Sequence, residues 1–148
     1  MTLFLLLVHA VCSALLWGAI THQALAVTWP GSAGGGWWAA LRSVHAERYA
    51  LAVVVLFVLT AALGMLLYPP FRVHVRADYL DAHVPWGTGL FEIKEHSAAI
   101  GLALLPLYGA AWRAPTLAGA RRPVTLFLAL IVWLNFVIGH IVNNLRGL

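Results

Sequence analysis

Charge is what this sequence has least of. Only 9% of its 148 residues are charged and 62% are hydrophobic, whereas a soluble domain is about 25% charged and roughly 45–50% apolar. A chain this short buries a smaller share of its surface than a large one. A water-soluble fold would have nowhere to hide so much apolar surface, and the excess must face lipid. There is one cysteine, Cys12, inside an apolar run. That excludes a disulfide framework and a thiolate metal site, and with no Cys-x-x-Cys-His it excludes a covalent c-type haem. Cys12 reads as a small buried side chain. There is one lysine, Lys94, and the net charge of +4 comes from arginines set between apolar runs. A nucleic-acid surface would instead show a basic stripe or patch. The glycines at positions 31 and 34–36 make no phosphate loop, since no strand precedes them and no Gly-Lys-Ser/Thr follows.

What is present is a set of long apolar runs within a single membrane domain, residues 1–148. No charge occurs before Arg42, so residues 3–22 can cross a hydrocarbon core that takes about 20 helical residues. Ala24-Leu25-Ala26 looks like a signal-peptide cleavage site, but no basic segment precedes the run, which therefore reads as an anchor. A second helix is expected at about 49–68, ended by Pro69-Pro70. A third is expected at about 92–112, kinked at Pro106, and a fourth at about 123–142, opened by Pro123. The fold class is all-α, a bundle of four transmembrane helices with both termini on one side.

Orientation follows the arginines. Arg42, Arg48, Arg113, Arg121 and Arg122 lie after helices 1 and 3, and Arg72, Arg76, Lys94 and Arg146 lie on the other side among four acids. This places the termini and the loop 69–90 outside, periplasmic for a bacterial inner membrane. Trp29, Trp37 and Trp38 in the first loop suit the headgroup layer.

The loop after helix 2 is expected to contain a short extended segment. Phe71-Arg72-Val73-His74-Val75-Arg76 alternates apolar and basic with the period of a strand. The plain reading is a strand lying on the membrane surface. The sharper one is an anion clamp of Arg72, His74 and Arg76 over the bundle mouth, aimed at a carboxylate, a phosphate or an acidic partner. Asp78, Asp81 and His83 follow, and read as solvated loop residues before metal ligands.

Seven histidines are the best pointer to function. His9 falls roughly 9 Å below the outer surface at 1.5 Å per residue. His96 comes about one turn into helix 3 and His140 about one turn before the end of helix 4. Three helices thus bring histidines to one depth, and ionisable residues within spans tend to face the interior or a functional site. The bland alternative is that each merely makes an interhelical hydrogen bond. Glu92 lies one turn before His96 and Asn144 one turn after His140, placed as second partners for a ligand histidine. His22 and His45 lie near the other face and would form a second site. His9 and His22 are about 140° apart around the helix, however, which favours interfacial histidines there.

A small four-helix bundle with His9, His96 and His140 at one depth resembles membrane-anchored b-type cytochromes. The resemblance implies a non-covalently bound haem b in an electron-transfer subunit of a larger membrane complex, with quinone or a periplasmic redox partner. In a sequentially wound bundle the diagonal pair 1 and 3 suits a bis-histidine haem, because haem ligands need a wider gap than the 8–10 Å between packed helices. That assigns His9 and His96 to the iron and His140 to the haem edge, with Arg72 and Arg76 beside the cofactor. Two other readings stand beside it. One is a copper, iron or zinc site of His9, His96 and His140 with Glu92, and the other is a non-catalytic accessory or anchor subunit. A subunit is expected rather than a stand-alone enzyme.

Overall fold

A computed structural model describes residues 2–28 and 46–146. All four long elements are helical: α1 (Thr2–Thr28), α2 (Ala46–Phe71), α3 (Pro85–Arg113) and α4 (Ala118–Leu145). Among the described residues there is no strand. Three helical stretches are long and apolar enough to cross a membrane: Thr2–Thr28, Glu47–His83 and Pro115–Leu145. Large apolar side chains cover the outside, among them Phe4 and Val11 on α1, Met65 on α2, Ile100 on α3 and Leu130 on α4. In water such a belt would be an aggregation surface, whereas in lipid it is the solvated face.

The region after α2 differs from expectation twice. Pro69 and Pro70 do not end the helix but lie inside α2, which runs on into a π-helical segment, Arg72–Leu80. Proline's fixed φ suits a helix, and its costs are a lost N–H and a clash with the carbonyl four residues back. A switch to i→i+5 bonding absorbs such a defect in a membrane helix, and the N–H of Asp81 does bond to the Arg76 carbonyl, five residues back. The expected extended segment at 71–76 is therefore helical. Its alternation also fits a helix, because positions four apart share a face. Phe71 packs on the Phe91 ring at 4.2 Å and Val75 is buried, while Val73 is exposed. Arg72 and Arg76 share a different face.

Val84 is non-helical (φ −142°, ψ 62°) and turns the chain into α3 at Pro85. Gly87 lets α3 approach the end of α4 there, since a Cβ would stand 3.1 Å from Leu145. The turn 114–117 reverses the chain between α3 and α4, with the Ala114 N–H bonded to Ala110 and the Leu117 N–H to Ala114. The helices wind in order around a square: α1 beside α2 and α4, α3 beside α4 and α2. The α2–α3 seam is the least extensive of the four sides.

The core is in two parts. One apolar cluster joins Leu16 and Ile20, Val53 and Phe57, Leu105 and Tyr108, and Leu128 and Val132. The other, at the opposite end, joins Val75, Leu80, Phe91, Ile138 and Val142. Hydrogen bonds between helices clamp the first. The Tyr108 hydroxyl donates to Gln23, Trp112 Nε1 donates to Thr125 at 3.1 Å, and Trp133 Nε1 donates to Thr21 at 2.9 Å.

Candidate functional site

Between the two apolar clusters every helix contributes a polar or glycine position. On α1 it is His9, on α2 Thr60 and Gly64, on α3 Lys94 and Ser97, and on α4 Asn135 and Gly139. Asn135 Nδ2 donates to Ser97 Oγ at 2.8 Å and to its own helix at the Ile131 carbonyl, tying α4 to α3. The glycines make room for the charged and titratable groups. A Cβ on Gly64 would lie 3.5 Å from His9 Cε1, and one on Gly139 would lie 3.5 Å from Lys94 Cε. The His9 ring is therefore laid across α2, and the lysine stem across α4.

The hydrogen-bonding capacity of this layer is not used up. His9 Nδ1 and Thr60 Oγ1 are both buried without a hydrogen-bond partner. Lys94 Nζ stands 5.5 Å from the centre of the Phe91 ring, a cation–π contact. Among the described residues no carboxylate lies within ion-pairing distance of it. The layer presents a cation, a ring nitrogen and a hydroxyl inside an apolar bundle, a donor set suited to a ligand with acceptor oxygens.

The expected three-histidine cluster does not form. His9 is half-buried and faces α2, but His96 and His140 are exposed. The cause is helical phase. On α3 the positions Phe91, Gly101, Leu105, Tyr108 and Trp112 are buried, and at 100° per residue His96 falls close to the opposite side. On α4 the buried positions Ile138 and Val142 flank His140, which is turned away from both. A bis-histidine haem between His9 and His96 does not fit this arrangement, because α3 would have to turn by roughly half a revolution. Among the described residues no group of three or more His, Cys, Asp or Glu side chains is placed to hold a metal.

The proposed second partners are engaged otherwise. The His96 ring Nδ1 is 2.7 Å from the Glu92 backbone oxygen, while the Glu92 carboxylate takes Arg76 Nη2 at 2.6 Å. Asn144 Nδ2 donates to the His140 carbonyl at 2.9 Å, not to its ring. His22 stacks on Tyr49 at 4.8 Å near the other end of the bundle, and His45 lies outside the described residues. The loop 31–38, with its glycines and tryptophans, also lies outside them.

The basic face is split rather than shared. Arg76 bridges the π-helical segment to α3 through Glu92 and stands 3.8 Å from Asp81. Arg72 is exposed beside Tyr68, Arg76 and Asp81 in one groove, whereas His74 points elsewhere, 4.0 Å from Asp78. Asp81 accepts from Thr88 at 2.6 Å, and His83 Nδ1 is 3.1 Å from the Tyr79 carbonyl.

Sequence reasoning missed Lys94 as an interior residue. The signal was available: at seven-residue spacing Gly87, Lys94, Gly101 and Tyr108 fall on one face, and the other three are buried. Against known proteins, no family model, curated protein or solved structure matches this chain.

Proposed function

We propose that this protein is a four-span integral membrane subunit of a redox complex, whose interior layer holds the carbonyl oxygens of a lipid-soluble quinone. The observation that carries the reading is Lys94, a cation turned into the bundle beside His9, with no carboxylate within ion-pairing distance of it among the described residues. Ionisable groups within a membrane bundle are costly and mark ligand or proton sites by default. A quinone carbonyl accepts a hydrogen bond from an ammonium without bringing an anion into the bilayer. The α2–α3 seam supports lateral access. It is pinned below by Phe57 against Gly101 and above by Phe71 on Phe91, and the polar layer lies between these closures.

α3 as the fourth span is supported by its length of 29 residues, about 43 Å at the helical rise. It also exposes Ile100, Leu102 and Leu107 outward. Of its early charges, Lys94 turns inward, Glu92 is paired with Arg76, and Glu95 is exposed. Four spans put both termini on one face, and the arginine bias makes that face periplasmic in a bacterial inner membrane. In this reading electrons reach the quinone from a partner subunit.

The test is equilibrium binding of a short-tailed quinone to the detergent-purified chain. Lys94→Met should weaken it about 10- to 150-fold, the worth of a hydrogen bond to a charged group at about 1.5–3 kcal/mol, and His9→Phe, which removes a neutral ring, should weaken it less. If decanoate binds and the quinone does not, the ligand is a fatty carboxylate and the redox role is lost. If neither binds, the chain is an accessory subunit.

A further inference from the structure

At the end of the bundle away from the polar layer, the last turns of α1, the first turn of α2 and the α3–α4 turn surround an open groove of about 510 Å³. Ala26, Val27, Glu47, Trp112, Arg121 and Arg122 line it. Arg121 is held in place: its Nε donates to the Ala111 carbonyl at 3.0 Å and its guanidinium lies 5.0 Å over the Trp112 ring. That ring is itself fixed by the bond from Nε1 to Thr125. The Nη groups of Arg121 keep their donor capacity, and Arg122 is exposed next to it. Glu47 is exposed on the same groove, and neither arginine is within ion-pairing distance of it.

We infer that this groove binds a phospholipid whose phosphate sits on Arg121 and Arg122 and whose headgroup ammonium sits on Glu47, the chemistry of phosphatidylethanolamine. Guanidinium groups at bundle ends recognise phosphate through paired N–H donors. Basic pockets between membrane helices are the usual seats of lipid headgroups. Trp112 forms the inner wall of the groove and fixes the Arg121 guanidinium over its ring. The carboxylate decides between lipids: it repels an anionic headgroup brought against the two arginines and attracts a zwitterionic one. This rests on the membrane reading and not on the quinone.

The test is native mass spectrometry of the delipidated full chain in detergent, offered phosphatidylethanolamine, phosphatidylglycerol of the same acyl chains, or inorganic phosphate. The wild type should retain phosphatidylethanolamine over phosphatidylglycerol severalfold. Arg122→Gln should cut that retention at least fivefold, Arg122→Lys should keep part of it, and Glu47→Gln should level the two lipids. Lys94→Met, at the other end, should leave the lipid adduct unchanged, so that failure of the quinone reading and failure of this one are separable. Retention unaffected by Arg122→Gln would overturn the proposal. So would a wild-type preference for phosphatidylglycerol, or displacement of the lipid by an equal concentration of inorganic phosphate.

Discussion

Replacing Lys94 by methionine should make the protein more stable while weakening the proposed quinone binding. Met matches the lysine stem closely in length and keeps its packing over Gly139, where the stem approaches a would-be Cβ to 3.5 Å. What it removes is the charge. A lysine in a membrane helix costs about 2.5–3.5 kcal/mol on insertion scales. Compensation comes from the Phe91 ring at 5.5 Å, a contact worth about 0.5–2 kcal/mol, and from the charge of the neighbouring Glu95. Lys94 is half-buried rather than sealed, so the full insertion cost does not apply. A gain of roughly 1–2 kcal/mol remains, or roughly 3–6 °C in Tm for a domain of this size. Thermal unfolding in detergent, followed by tryptophan fluorescence and checked by size exclusion, measures it. Ile93→Met on the exposed neighbouring position is the control and should shift little. A loss of stability of 2 kcal/mol or more in Lys94→Met would refute the reasoning, because the ammonium would then be satisfied by an acceptor and not left for a ligand. Residues that cost stability at a site are expected where function needs them.

Two other outcomes test the fold. Gly101→Ala should destabilise by about 1–3 kcal/mol, because its new Cβ collides with the Phe57 ring and lies 3.2 Å from Ile131; in thermal unfolding, adding Phe57→Leu should restore most of the loss. For α3, single cysteines at Ala82 and Thr116, both exposed, in a Cys12→Ser background should differ in labelling of intact cells by an impermeant maleimide. Ala82→Cys should react and Thr116→Cys only after permeabilisation; the reverse pattern would invert the topology but keep the fourth span, and equal labelling would remove it.

The apolar runs announced the helices because a 20-residue stretch without charge has few alternatives in a chain of this composition. The ends of those helices were less legible. α2 was expected to stop at Pro69-Pro70 and instead continues through Leu80 in helical form, since a missing N–H can be absorbed by a change of hydrogen-bond register. The strand expected at 71–76 failed for a related reason. A two-residue alternation contains a four-residue repeat, and buried Val75 with exposed Val73 shows which repeat the packing selected.

The histidines teach the more useful distinction. Depth in a bundle can be counted from a sequence, and His9, His96 and His140 were compared by depth. Direction is a second coordinate, and it needs the phase of each helix against its small and aromatic positions. On α3 that phase turns Lys94 inward and His96 outward, although they are two residues apart and nearly equal in depth. The charge counted with the outer side in the orientation argument is therefore turned into the bundle. The histidine that looked like an iron ligand sits on the outer face, where only lipid or another protein would meet it. A cofactor reading built on depth alone moves one helical face when direction is added, from three imidazoles to one imidazole and one ammonium. That pair has no metal chemistry in common, but the ammonium donates hydrogen bonds, which is why the proposal turns to a ligand with acceptor oxygens.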